Sequence, residues 1–367
     1  GTLMCAAPVR LGDEMNPEDF PEPAVEVEAI TPDALKARID GDETVTILDV
    51  RRPSDYEEWH IDGDAVDSIN VPFFEFLEDG VDDAVLDRIP AGRDVVVLCA
   101  KGIASAFVAG ELAARGYAVT QLEDGMHGWA RIYEAVTVTG YDGAGTLYQY
   151  QRPSSGCLGY LLVDGDEAAV IDPLRAFTDR YLDDAEARGA DLRYAFDTHI
   201  HADHVSGVRA LAAAGTEGVL PAAAAARGVT YTDAVTLAAD GDAFRVGDAT
   251  IEAMHTPGHT TGMTSYLLDG RFLATGDGLF VESVARPDLE EGDEGAPDAA
   301  RTLYESLRER VLALPDDTLV GGAHSGDTSE PAPDGTYTAP LGVVVERQDA
   351  LGMDEAAFVD LVLADMP

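Results

Sequence analysis

The sequence predicts an α/β protein in two parts: a parallel sheet covered by helices on both faces, then two mixed sheets packed face to face with helices outside. Three observations predict it. Within residues 25–135, apolar runs such as VTILDV (45–50) and DVVVLCA (94–100) alternate with helical stretches, as in a parallel sheet whose strands are apolar on both sides. From Tyr148 onward the apolar runs come in pairs joined by turn residues, the mark of hairpins. The 367 residues also exceed one ordinary domain.

Taken in order, residues 1–23 carry Pro8, Pro17, Pro21 and Pro23 among acids and read as a flexible arm, without the basic start and apolar core of a secretory leader. Thr31-Pro32-Asp33 reads as a helix start, and ASAFVAGELAARG (104–116) as a helix closed by Gly116. The first domain is placed at 24–137 and the second at 138–367, with the Gly- and Thr-rich stretch from about 136 to 146 as linker. In the second domain, YLLVDGDEAAVID (160–172) and FRVGDATIEAMHTPGH (244–259) are expected hairpins. RYAFDT (193–198) is a strand followed by an Ala-rich helix over 204–213. LEEGDEGAPD (289–298) and SEPAPDGTYTAP (329–340) read as mobile surface, with the edge of a site as the alternative for either.

The formal net charge is −45, and lysine occurs only at positions 36 and 101. So many like charges repel one another; molar salt relieves this by shortening the screening length to roughly 3 Å. The acids are spread along the whole chain, the surface style of proteins from salt-loving microbes. Nucleic acid is excluded as a partner by the sign of the charge. No apolar run approaches the length of a membrane span. Cys5, Cys99 and Cys157 lie far apart without paired spacing, which suggests a reducing cytoplasm. A homodimer is compatible with the sequence.

THIHADH (198–204) concentrates His199, His201, Asp203 and His204 just after a predicted strand. In extended backbone, alternate side chains share a face, so His199 and His201 can address one point; Asp203 could cap the following helix, which His204 begins. Downstream follow His259 in TPGHT, Asp277 in ATGD and His324 in GGAHSGD. Six of the eight histidines lie from His199 to His324, and His204 and His259 stand directly beside Asp or Gly in predicted loops at strand ends. One such histidine would be an ordinary polar residue; together they predict a metal site.

The string H-x-H-x-D-H with a later His, Asp and final His resembles the metallo-β-lactamase superfamily over about residues 146–330, and implies its αββα sandwich. Members similar to the dizinc thioester hydrolases use all seven residues, the Asp bridging two zinc ions. The wording THIHADHVSG, TPGHTTG and ATGDGLF resembles more closely the persulfide dioxygenases, in which one iron(II) per chain is held by residues that carry over to His199, His259 and Asp277. Two imidazoles and one carboxylate suit oxygen chemistry at iron. His201, Asp203, His204 and His324 then orient ligands or, on the hydrolase reading, bind a second zinc. The implied substrate is a low-molecular-weight thiol persulfide. That family's Gly-Arg-x-Asp segment reads Ala285-Arg286-Pro287-Asp288 here. Arg286 could bind the carboxylate of a thiol carrier or pair with Asp288. Cys157, in PSSGCLGY, is read as a buried structural thiol, with a place beside the metal as the alternative.

Cys99 ends a predicted strand and is followed within a few residues by a helix. Backbone N–H groups in such a loop, with the helix dipole, stabilise an anion or persulfide on sulfur. LDVRRPSDYEEWHIDG (48–63), the Cys99 loop and DGMHGW (124–129) resemble a rhodanese domain, so that Cys99 matches the sulfur-accepting cysteine, with Asp49 and Arg51 structural or entrance-lining. Many active rhodaneses carry an arginine before the serine of this loop; here Ala104 precedes Ser105, which weakens thiosulfate as donor. Lys101 supplies a cation in the same loop, and with Ser105 is a candidate substrate contact. The alternatives are active sulfur transfer, with thiosulfate or sulfite as partner, and an inactive interaction module. Fusions of this kind usually place the rhodanese domain after the oxygenase; here it comes first. A sulfur-carrying or sensing protein with a structural metal site is the third reading.

Overall fold

The computed structural model describes residues 21–77, 81–200, 205–288, 290, 292–326 and 329–364. The flexible arm expected at 1–23 falls almost wholly outside them, as do His201, Asp203 and His204. The chain divides into two compact units between Ile132 and Tyr133.

The first unit is built on strands β1 (Ala29–Ile30), β2 (Val45–Asp49), β3 (Val66–Asn70), β4 (Asp94–Leu98) and β5 (Ala118–Leu122) in the order β1-β5-β4-β2-β3. Every pairing is parallel. Alternation along β2 and β4 explains the two covered faces. Leu48, Val95 and Val97 pack with Phe107, Val108 and Leu112 of helix Ile103–Ala114 on one side. Val45, Ile47, Val96 and Leu98 pack with Leu35, Met126 and Trp129 on the other. The predicted helix start is present: Thr31 Oγ1 accepts from the Ala34 N–H, ahead of helix Pro32–Asp40.

The second unit holds two sheets. One runs β12-β11-β10-β9-β8-β7-β6, from β6 (Glu134–Thr137), β7 (Thr146–Arg152), β8 (Cys157–Asp164), β9 (Glu167–Ile171), β10 (Asp191–Phe196), β11 (Glu217–Pro221) and β12 (Thr236–Ala238). The other runs in chain order, from β13 (Ala243–Val246), β14 (Ala249–His255), β15 (Thr264–Leu268), β16 (Phe272–Gly276) and β17 (Leu319–Gly322) to β18 (Ala339–Pro340). Tyr160, Leu162, Ile171 and Phe196 of the first sheet meet Ile251, Tyr266, Phe272 and Ala274 of the second in one buried layer. The outer face of the first sheet is covered by helices Thr178–Ala187 and Val208–Ala213. That of the second is covered by helices Gly292–Ser306, Leu341–Arg347 and Glu355–Ala364. This is the αββα sandwich.

Both expected hairpins form, Asp164 pairing with Glu167 and Val246 with Ala249, each across a two-residue turn. Three expectations need correction. The stretch read as linker joins β6 to β7 of one sheet, so Glu134–Thr137 belong to the second unit. The Ala-rich helix starts at Val208. Residues 292–298 are not loose surface but the start of helix Gly292–Ser306, because Ala296, Ala300 and Leu303 form a buried stripe at helical spacing. Among the described residues no helix is long and apolar enough to cross a membrane.

Candidate metal centre and cysteine loop

Four side chains of the second unit stand where the backbone has just left a strand. His199 follows β10, His259 lies between β14 and β15, Asp277 follows β16 and His324 follows β17. His199, His259 and Asp277 are buried and bring one ligand atom each to within 4.8 Å of one another. Nε2 of His199 lies 3.6 Å and Nε2 of His259 3.8 Å from Asp277 Oδ2.

The outer nitrogens of both rings are held. Nδ1 of His259 lies 3.2 Å from the Arg286 carbonyl, which can only accept. Nδ1 of His199 lies 3.0 Å from Thr198 Oγ1. That hydroxyl gives its single proton to the Asp172 carboxylate at 2.9–3.0 Å, so it accepts from the imidazole. Both rings therefore carry the proton on Nδ1 and turn the Nε2 lone pair inward. Two nitrogen lone pairs and a carboxylate oxygen converging in a buried space are mutually repulsive without a cation between them. The donor set fits a divalent transition metal, iron(II) and zinc(II) included.

Asp277 is ionised. Burial pushes its carboxyl up, but the hydrogen bond donated by His324 outweighs this and holds it below the usual carboxylate range. His324 Nδ1 donates to Asp277 Oδ1 at 2.7 Å, and its Nε2 lies 3.6 Å from Cys157 Sγ. The four imidazole and carboxylate groups are thus divided: Oδ2 of Asp277 faces His199 and His259, and Oδ1 is engaged by His324.

In the first unit, Cys99 sits just past β4, buried at 6% exposure. The Gly102 N–H donates to its sulfur at 3.1 Å, and Ser105 Oγ lies 3.4 Å away. Lys101 is exposed and Ser105 buried at the start of helix Ile103–Ala114. Buried Asp49 pairs with half-buried Arg51, whose guanidinium also donates to the Trp59 carbonyl, so they tie strand to loop.

Known proteins agree with these two architectures. Residues 154–324 match the family model of the metallo-beta-lactamase superfamily, and residues 31–132 that of the rhodanese-like domain. The human mitochondrial persulfide dioxygenase ETHE1 is 33% identical over 183 residues, which is 48% of this chain and 67% of that protein. The chain belongs to the metallo-beta-lactamase superfamily. Superfamily relatives include the hydroxyacylglutathione hydrolase of Methylococcus capsulatus, 32% identical over 60% of this chain and 78% of that protein. The crystal structure of ETHE1 from Myxococcus xanthus superposes with a TM-score of 0.51 at 28% identity, covering 60% of this chain and 92% of that one.

Within this superfamily member, the site draws on Asp172, which pattern reading passed over, and on the backbone of Arg286, where the sequence pointed to the side chain. Asp172, at the end of a predicted hairpin, orients His199 through Thr198, and its φ of 53° is the structural signal of an unusual position. The Arg286 backbone orients His259, while the Arg286 side chain pairs with Asp288 at 2.8 Å.

Proposed function

We propose that this chain is a persulfide dioxygenase, taking a low-molecular-weight thiol persulfide by RSSH + O2 + H2O to RSH, sulfite and two protons. The observation that carries this reading is the convergence of His199, His259 and Asp277 while His324 engages the other Asp277 oxygen. That division favours one metal ion over a bridged pair. Iron(II) held by the trio would supply the one-electron chemistry that lets dioxygen react with sulfur. Thr198 and the Arg286 carbonyl fix the two rings, and the three ligand side chains are themselves buried.

Cys99, with the Gly102 N–H on its sulfur, would accept sulfane sulfur as a cysteine persulfide and exchange it with thiosulfate or sulfite. The charge and dispersed cysteines suit a cytoplasmic protein of a salt-adapted cell. Likeness to a hydroxyacylglutathione hydrolase supports a second reading, thioester hydrolysis at two zinc ions.

Metal content of protein purified without oxygen, with oxygen uptake measured on a supplied persulfide in molar salt, separates these. About one iron per chain with uptake is expected. Zinc at about two per chain, no uptake, and thiol release from an S-lactoyl thioester would make it a hydrolase. No turnover of either kind would leave a sulfur carrier.

A further inference from the structure

Cys157 is the first residue of β8 and is buried at 4% exposure. It faces His324 because the backbone holds the two together. The Leu158 N–H donates to the Ala323 carbonyl at 2.7 Å and the Ser325 N–H to the Gly156 carbonyl at 2.9 Å, one bond on each side of the pair. Gly156 makes the approach feasible: its φ is +67°, and a Cβ there would stand 2.4 Å from the Ser325 carbonyl oxygen. The contact is thus built into the meeting of two strand ends.

The side chains complete a relay. Ser155 Oγ donates to Cys157 Sγ at 3.1 Å. Sγ lies 3.6 Å from His324 Nε2, within reach of a sulfur hydrogen bond, and His324 Nδ1 donates to Asp277 Oδ1 at 2.7 Å. The proton count is consistent. The Asp277 carboxylate only accepts, so Nδ1 carries hydrogen; the Ser155 proton is directed to sulfur; one further proton lies between Sγ and Nε2. The ring is held at both ends, and Nε2, the nitrogen a second metal ion would need in order to use Nδ1–H for Asp277, faces sulfur instead.

We propose that Cys157 is a positioning residue that, through His324, confines Asp277 to a single inward oxygen and keeps His324 from serving a second metal ion. The proposal rests on the metal-site reading above. It assigns the sulfur no part in bond making: its work is to select one ion over two.

The test is metal binding by the full chain, apart from turnover. Apoprotein is dialysed against excess zinc(II), and separately against cobalt(II), in molar salt, and ion content and the cobalt visible spectrum are recorded for wild type, C157A, C157S and S155A. The wild type is expected to hold about one ion. C157A is expected to move toward two, with a changed cobalt spectrum and first-ion affinity weakened about 10–100-fold, as for loss of an outer partner. C157S keeps a donor at the position and is expected to return toward wild type, and S155A to shift in the direction of C157A by less. C157A matching wild type in stoichiometry, affinity and spectrum would overturn the proposal. Should C157A not fold, the S155A measurement decides in the same way. Wild type binding no ion, or two, would instead overturn the metal-site reading beneath it.

Discussion

Thr198 has a single hydroxyl proton and two neighbours placed to take it. The carboxylate of Asp172 wins, at 2.9 and 3.0 Å, because it can only accept; the His199 ring must then donate, and its inner nitrogen is left as a ligand. Thr198→Val keeps the volume and removes this arbitration. The buried groups lose a shared partner, so stability should fall by about 1–3 kcal/mol. Metal affinity should fall about 10–100-fold. Denaturant melts and metal competition on the purified variant check both, and unchanged affinity would show that the His199 ring is oriented by other contacts. None of this was legible in the motif: THIHADH displays His199 but not the partner of Thr198 lying 26 positions earlier, since Asp172 meets Thr198 only where β9 and β10 lie side by side.

Strand ends carry both sites, and the backbone just beyond each strand decides the geometry. In the first unit, the Met126 N–H donates to the Cys99 carbonyl at 2.8 Å and the His127 N–H to the Ala100 carbonyl at 3.0 Å, so the short helix Gly125–Trp129 holds the cysteine loop from behind. Gly125 has φ +54°, and a Cβ there would lie 2.1 Å from the Cys99 carbonyl oxygen. Gly125→Ala should therefore cost about 1–3 kcal/mol in local strain and displace the loop. Loss of sulfur transfer from thiosulfate, with metal content unchanged, is the expected outcome; full transfer activity would show that the loop tolerates the shift. The strands and hairpins were legible from alternation and turn residues. Helix Gly292–Ser306 was not, because Gly and Pro297 within an acidic run mask a stripe that only the apolar face of the second sheet makes worth burying.

At the scale of the whole chain, electrostatics sets the working conditions. Against a net charge of −45, ion pairs such as Arg38–Glu43 and Arg93–Asp67 lie at the surface, where each contributes about 0–1 kcal/mol. Repulsion among the remaining carboxylates is screened over roughly 3 Å at molar salt. Melting temperature should accordingly rise when potassium chloride is raised from dilute to molar concentration, by about 2–4 °C for each kcal/mol of repulsion relieved. A calorimetric scan showing a flat or falling melting temperature would mean that the acids are already balanced locally.

By itself the sequence determined the two-part α/β architecture and a cluster of seven ligand-type residues, because periodicity and clustering are properties of the chain read in order; its resemblance to known families is what singled out His199, His259 and Asp277 among the seven, and Cys99 as the candidate sulfur acceptor. Only the tertiary structure decided which nitrogen of each ring faces inward, that Arg286 serves His259 through its carbonyl while its side chain pairs with Asp288, and that Cys157 stands against His324. Those outcomes depend on hydrogen-bond partners brought from distant strands, and a proton's position is set by the group it meets in space.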